Sequence, residues 1–197
     1  MTALTVLAAS AAFAETENFT GVKAGALPSG WECGVTGRGA PRWAVEADGA
    51  QHVLRQSGSG TFPWCVKKGA AVADGFVEVR FRPEKGGEDQ AGGVVWRWQD
   101  GDNYYVARGN ALENNVSLYY TANGRRNTLK YVDAPVPANA WHTLRVEFSG
   151  KRIRVLLDGK QYIEHEDDHL RDPGAVGVWT KADSVTAFRE FSYGALK

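Results

Sequence analysis

The sequence predicts an all-β fold, a sandwich or jelly roll of short antiparallel strands. One observation is a regular series of turn dipeptides, the strongest short-range signal for β-hairpins. They are Asp48-Gly49, Asp100-Gly101, Asn123-Gly124, Ser149-Gly150 and Asp158-Gly159. The other is a period of two, because apolar residues recur at every second position through 77–81, 144–148 and 153–157, with charged residues between most of them. Such strands have one core face and one solvent face, as in packed antiparallel sheets.

The same reasoning places further strands along the chain, where apolar or aromatic segments lie between turn residues. These strands are expected at residues 43–47, 52–56, 93–98, 104–108, 115–121, 127–132, 160–164, 175–180 and 185–193. Segment 18–42 is rich in glycine, proline and serine, and we expect it to wrap the edge of the sandwich.

The N-terminus has the pattern of a secretory signal peptide, residues 1–14, followed by a single domain over 15–197. Residues 4–13 are uncharged and lead into Ala12-Phe13-Ala14, a small-x-small cleavage pattern. The segment is too short to span a membrane; a buried first helix is the alternative. A signal peptide implies a periplasmic or extracellular protein.

Cys33 and Cys65 are the only cysteines. In an oxidising compartment two thiols are expected to form a disulfide, although two separate buried thiols are the alternative. Their spacing does not match a redox or zinc motif.

The charges balance, because 23 Lys and Arg residues face 23 Asp and Glu residues. This balance argues against a protein that neutralises many phosphates of a nucleic acid.

One segment, His165-Glu166-Asp167-Asp168-His169, matches the H-E-x-x-H pattern of zinc proteases. That chemistry needs both imidazoles on one helical turn, whereas this segment is expected to be a strand that runs into a loop. The sequence therefore predicts no catalytic metal. A structural calcium ion, bound by the oxygens of the three acids, remains an alternative.

Polar and aromatic residues of the kind that bind sugars are concentrated in the centre of the chain. Sugar hydroxyls need paired donors and acceptors, and sugar C–H faces stack on rings. The candidates are Arg97, Arg108, Asn110, Glu113, Asn114 and Tyr119. In the alternative interpretation, the two arginines pair with acids on a solvated sheet face and the neighbouring tryptophans belong to the core.

Three segments carry a family resemblance: residues 92–120 (GGVVWRWQDGDNYYVARGNALENNVSLYY), 141–160 (WHTLRVEFSGKRIRVLLDGK) and 176–191 (VGVWTKADSVTAFREF). They resemble the concanavalin A-like lectin/glucanase superfamily. Within it they are most similar to bacterial secreted domains of the family 16 glycoside hydrolase-like or 3-keto-disaccharide hydrolase type. The resemblance implies a jelly-roll sandwich of two curved antiparallel sheets with a concave glycan-binding face.

The chain departs from these relatives in two places. The acidic catalytic strand of family 16 glucanases is not found. Where the more similar group often has two aspartates, this chain has Arg189 and Glu190.

Together these observations predict a secreted, carbohydrate-directed domain that binds, and as an enzyme would hydrolyse, a glycan or glycoside. Glu113 is the candidate acid/base. The expected ligand-binding residues are Arg97, Arg108, Asn110, Asn114 and Tyr119, with Trp179, Lys181 and Asp183 at the rim. The alternatives are a non-catalytic cell-envelope module that binds a protein and a calcium-dependent adhesion module.

Overall fold

The computed structural model describes residues 14–196, whose regular elements are all β-strands. They are β1 (Glu15–Glu17), β2 (Trp31–Ala40), β3 (Trp43–Asp48), β4 (Gln51–Gln56), β5 (Ser59–Val72), β6 (Gly75–Lys85), β7 (Ala91–Asp100), β8 (Asn103–Asn110), β9 (Asn115–Ala122), β10 (Arg125–Asp133), β11 (His142–Ser149), β12 (Arg152–Leu157), β13 (Lys160–Glu166), β14 (Gly174–Trp179) and β15 (Val185–Gly194).

The strands form two antiparallel sheets that pack face to face, which confirms the predicted sandwich. The eight-stranded sheet has the order β13-β12-β11-β6-β15-β4-β3, and β1 pairs with β15. The seven-stranded sheet has the order β10-β9-β8-β7-β14-β5-β2. Both contain long sequence crossovers, as a jelly roll requires.

The core lies between the sheets and takes alternate residues from the strands of both. Val79 and Leu144 come from one sheet, and Val94 and Leu118 come from the other. At its centre the buried Trp96 ring stacks on Tyr105, with the ring centroids 5.2 Å apart. Burial of these large rings adds to the hydrophobic stabilisation of the core.

The turn and alternation signals predict the strands well. Each of the five turn dipeptides joins two neighbouring strands. Three strands were missed: the short β1, and the paired strands β2 and β5. Segment 18–42 does lie at a sheet edge, but it contributes β2 there rather than an irregular wrap. Its partner β5 was not predicted, because neither segment alternates clearly in hydrophobicity.

The predicted signal peptide, residues 1–14, lies outside the described residues except for Ala14. Within residues 14–196, no helix has the length and hydropathy that a membrane span requires.

A disulfide joins Cys33 to Cys65, as predicted. The two cysteines are directly opposite each other on β2 and β5, so the bond fixes the register of the edge strand.

Two glycines allow the sheets to approach closely around Phe81 of β6. Gly92 and Gly109 are register partners on β7 and β8, and Phe81 lies against both. A Cβ atom on Gly92 would lie 2.4 Å from the Phe81 ring, and one on Gly109 would lie 2.8 Å from it. Because Phe81 is fully buried, it has little room to move.

Removal of the disulfide is expected to lower the free energy of unfolding by about 3–4 kcal/mol, because the bond closes a loop of roughly 33 residues. Urea denaturation of the Cys33→Ser/Cys65→Ser protein checks this value. Reductant should shift the midpoint of the wild type toward that of the double variant, since the chain has no other cysteine. Equal midpoints for oxidised and reduced protein would contradict a stabilising bond.

Gly92→Ala is expected to lower the free energy of unfolding by about 1–3 kcal/mol, because the new methyl group overlaps the Phe81 ring. Gly87→Ala is the matched control. Its added Cβ would meet only an Asp183 oxygen at 3.6 Å. Denaturation midpoints compare the two variants, and an equal effect of both would exclude overpacking at Phe81 as the cause.

Candidate functional site

The face of the seven-stranded sheet that points away from the core carries a second apolar cluster, here called the outer face. Its buried members are Trp64, Val66, Val95, Tyr104, Val106, Tyr119 and Trp179. All belong to the seven-stranded sheet, and they alternate along its strands with the residues of the core. A face rich in rings on an outer sheet surface is a candidate ligand surface.

Two side chains cover the centre of this face. Phe62 stacks on Trp179 with ring centroids 5.7 Å apart. The Arg126 guanidinium lies over three rings, 4.3 Å from the centroid of Tyr119, 4.7 Å from Phe62 and 5.7 Å from Trp179. The buried rings therefore form a floor beneath Phe62 and Arg126.

A polar cluster lies at one end of the outer face and consists of Asp89, Arg108, Asn110, Glu113 and Lys181. The carboxylate of Asp89 is fully buried at its centre. Nη1 of Arg108 donates to both of its oxygens, at 2.9 and 2.8 Å. The Lys181 ammonium donates at 2.7 Å and the Asn110 amide at 3.1 Å. Two cations and an amide thus compensate the burial of one carboxylate.

Glu113 is the more accessible carboxylate of the polar cluster, with 39% of its side chain exposed. Its Oε2 accepts hydrogen bonds from Nη2 of Arg108 and from the Asn115 amide, both at 2.8 Å, and from the Tyr131 hydroxyl at 3.3 Å. Partial burial opposes ionisation, but the Asn115 hydrogen bond and the Arg108 charge outweigh it and lower the pKa of Glu113. Glu113 is therefore an ionised acceptor or base at neutral pH rather than a proton donor.

Asn110 and Asn114 shape the turn that carries Glu113. The Asn110 side-chain oxygen accepts the backbone N–H of Leu112 at 2.9 Å, while its amide holds Asp89. Asn114 adopts φ 48°, a left-handed conformation that asparagine tolerates well. Its side-chain oxygen accepts from the backbone N–H of Val136 at 3.3 Å. The structure thus places Asn114, a predicted ligand residue, in a supporting position within the turn.

Asp183 holds the loop that delivers Asp89. Its carboxylate accepts three backbone N–H groups, from Gly87 at 2.7 Å and from Glu88 and Asp89 at 3.0 Å each. The hydrogen bond from Gly87 is the largest cause that lowers the pKa of Asp183, and the other two amides outweigh the opposing effect of burial. Asp183 was predicted to contact the ligand at the rim of the site. In the structure, both of its carboxylate oxygens accept hydrogen bonds from this loop.

Arg97 and Arg108 do not share a site, which corrects the expectation that both face the ligand. Arg97 donates to the carbonyls of Ala73, Gly150 and Leu170, at 3.2, 2.8 and 2.9 Å. It adopts φ 45° at an irregularity in β7, and its guanidinium lies over the core residue Phe148. This irregularity turns Arg97 away from the outer face, and backbone carbonyls occupy its donors.

Trp179 also departs from its predicted position at the rim. Its ring is fully buried in the floor, so a ligand could reach it only by displacing Phe62 or Arg126. Tyr119 is likewise buried, beneath Arg126.

Lys181 is closer to its expected place at the rim. It lines an open cavity of about 370 Å³ that also touches Phe62 and Glu88. This cavity is the accessible space beside the polar cluster.

The H-E-x-x-H segment does not form a metal site in the described chain. His165 lies on β13 and His169 lies in the loop that follows, so they do not share a helical turn. The three acids that were considered for calcium have separate partners. Glu166 pairs with Lys151, Asp168 pairs with Arg171, and Asp167 accepts from the Tyr105 hydroxyl and lies 2.8 Å from Nδ1 of His169. Within residues 14–196, no group of three or more His, Cys, Asp or Glu side chains is placed to hold a metal ion.

Five residues of this region were not identified from the sequence: Phe62, Asp89, Asn115, Arg126 and Tyr131. Asp89 lies in the glycine-rich segment between β6 and β7, where an acid is typical of a solvated loop. Arg126 and Tyr131 lie on β10, whose sequence does not alternate clearly. The sequence did contain one indication of Arg126 and Tyr131. The turn at Asn123-Gly124 predicts the β9–β10 hairpin, and this hairpin places β10 beside Tyr119.

The 3-keto-alpha-glucoside-1,2-lyase-like domain model matches residues 19–192. Among curated protein sequences, none matches the chain.

Several solved structures have a similar fold. The carbohydrate binding module CBM66 from Bacillus subtilis superposes with a TM-score of 0.72 at 22% identity, covering 84% of this chain and 96% of that chain. A lichenase from a mouse hindgut metagenome gives 0.62 at 15% identity, and the Bacillus licheniformis beta-glucanase gives 0.58 at 14%; each match covers 93% of this chain and 98% of that chain. At these identities the likeness shows the jelly-roll fold alone.

Asp183→Asn is expected to lower the free energy of unfolding at pH 7 by about 1–3 kcal/mol, because an amide nitrogen cannot accept the N–H of Gly87. Since folding lowers the pKa of Asp183, its contribution is present above the ordinary value of 3.8 and is lost as pH falls through the folded-state pKa. The difference between variant and wild type should therefore shrink below about pH 4. Urea denaturation at pH 7 and pH 3 measures it, with the exposed Asp172→Asn as control. A pH-independent difference would contradict the assignment.

Proposed function

Because the chain belongs to the 3-keto-alpha-glucoside-1,2-lyase-like domain family, we propose that it binds a glycan or glycoside at the polar cluster of its outer face. The observation that best supports this proposal is that the polar cluster lies next to both the floor of buried rings and the cavity lined by Lys181. Lys181 and Tyr131 offer donors and Glu113 offers an acceptor, while the buried Arg108 holds Glu113 and Asp89 in place. Phe62 presents a ring at the edge of the same cavity.

These groups suit a sugar because each is held in place before a ligand arrives. Asp89 fixes Arg108 and Lys181, and Asn115 and Tyr131 fix Glu113. A polar site whose donors and acceptors are already oriented loses less conformational entropy on binding.

A second candidate function is cleavage of a 3-keto glycoside, favoured by the ionised state of Glu113. In such a sugar the C3 carbonyl acidifies the C2 proton. The Glu113 carboxylate would take that proton, and the electron pair would form the C1–C2 double bond as the C1–O bond breaks. The leaving oxygen would take a proton from Lys181 or Tyr131, and addition of water across the double bond would complete a net hydrolysis.

The alternative of a protein-binding module has less support. Large exposed apolar side chains in residues 14–196 are few: Leu27, Leu112, Tyr131 and Leu196. Two of them, Leu112 and Tyr131, flank the polar cluster, where a sugar could use them. The disulfide is consistent with an extracellular location, and secretion by the signal peptide remains part of the proposal.

Glu113→Gln is expected to weaken glycan binding about tenfold or more, because it removes the charged acceptor but keeps an oxygen for Arg108 and Asn115. A glycan array identifies the ligand and titration calorimetry measures the affinity. If Glu113 is also the base, turnover of a 3-keto-disaccharide should fall by roughly 10²–10⁴-fold.

The matched control is Glu166→Gln, which removes an exposed glutamate on the other sheet and should change neither quantity. Absence of glycan binding and of 3-keto-disaccharide turnover in the wild type would overturn the proposed function. Binding without turnover would leave a binding module and exclude cleavage.

A further inference from the structure

Arg126 differs from the other buried or half-buried arginines of the described chain in its lack of an anionic partner. Arginines that are buried or half-buried in residues 14–196 otherwise each lie within 4 Å of a carboxylate. These are Arg55, Arg80, Arg82, Arg97, Arg108, Arg145, Arg154 and Arg189. Arg126 is half-buried and has no such contact in this part of the chain.

The guanidinium of Arg126 is nevertheless largely removed from water. Its Nη1 is inaccessible to solvent and has no hydrogen-bond partner within the described residues. Burial is the largest cause that lowers the pKa of Arg126, and the nearby Arg108 charge acts in the same direction. The three rings beneath it supply a cation–π attraction, which offsets part of this cost but satisfies no N–H donor.

The polar cluster supplies no spare negative charge for Arg126, and the opposite charges of Glu88 and Arg38, which both line the neighbouring cavity, cancel. Asp89 and Glu113 carry two negative charges, and Arg108 and Lys181 carry two positive charges in direct contact with them. The Arg126 charge is therefore the excess charge of the site. An unpaired guanidinium with free donors matches a planar anionic group, which it can bind through two parallel hydrogen bonds.

We propose, resting on the proposed function, that the bound glycan carries a negatively charged group that pairs with Arg126. A uronic acid matches the planar fork of the guanidinium, and a sulfated sugar shares the same charge. In this arrangement the polar cluster binds the hydroxyls of the sugar, and Arg126 selects the charged sugar over its neutral analogue.

The test compares three disaccharides that differ only at C6 of the terminal sugar, which is glucuronate, glucose or glucose 6-sulfate. Calorimetry with the wild type should give about tenfold or tighter binding of the glucuronate form than of the glucose form. This preference should weaken as the salt concentration rises. Comparison with the 6-sulfate form shows whether carboxylate or sulfate is the preferred anion.

Three variants test whether Arg126 causes the preference for the charged disaccharide. Arg126→Met keeps an apolar stem over the rings and should abolish the preference while leaving binding of the neutral form. Arg126→Lys retains the charge and should restore part of the preference. Arg125→Met removes the neighbouring exposed charge and should leave the preference intact.

Equal binding of the charged and neutral disaccharides by the wild type would overturn this inference and leave the proposed function standing, with Arg126 as a structural cover over the rings. A preference that survives in Arg126→Met would also overturn it. If none of the three disaccharides binds and the glycan array is also negative, both the proposed function and this inference fail.

Discussion

The buried carboxylate of Asp89 is the constraint around which one end of the molecule is organised. Full burial of an uncompensated carboxylate would cost several kcal/mol, so its partners must be in place whenever the protein is folded. Those partners come from separate segments: Arg108 and Asn110 from β8, and Lys181 from the loop after β14. Asp183 in turn holds the loop that carries Asp89. These partners hold the polar cluster in one arrangement, because the loss of any of them would leave the buried Asp89 charge less well compensated.

The aromatic floor gives this cluster a second kind of support. Buried rings on the outer face hold Phe62 and Arg126 above the sheet, so that the side chains nearest to solvent rest on packed rather than mobile neighbours. The floor and the polar cluster meet at Tyr119, whose ring lies beneath both Arg108 and Arg126.

The sequence predicts those parts of the structure that depend on local interactions. Hairpin turns and alternation are properties of a few neighbouring residues, and they identify most strands and the sandwich itself. The Cys33–Cys65 disulfide was predicted, but it does not by itself define two strands. Strands β2 and β5 were missed because their sequences give no clear periodic signal. Arg108, Asn110 and Glu113 were identified from their chemistry. Asp89 and Arg126 were not, because only the folded chain brings them to the outer face. A local irregularity in β7 separates Arg97 from Arg108, and alternation alone does not predict it.

The Arg97 guanidinium joins three separate segments at the opposite end of the sandwich. Its hydrogen bonds reach the turns after β5 and β11 and the loop after β13, at Ala73, Gly150 and Leu170. These contacts join residues that lie 24, 53 and 73 positions from Arg97 in the chain. Closing such long loops costs chain entropy before the contacts form, so the large sequence separation at this end favours a slow folding rate.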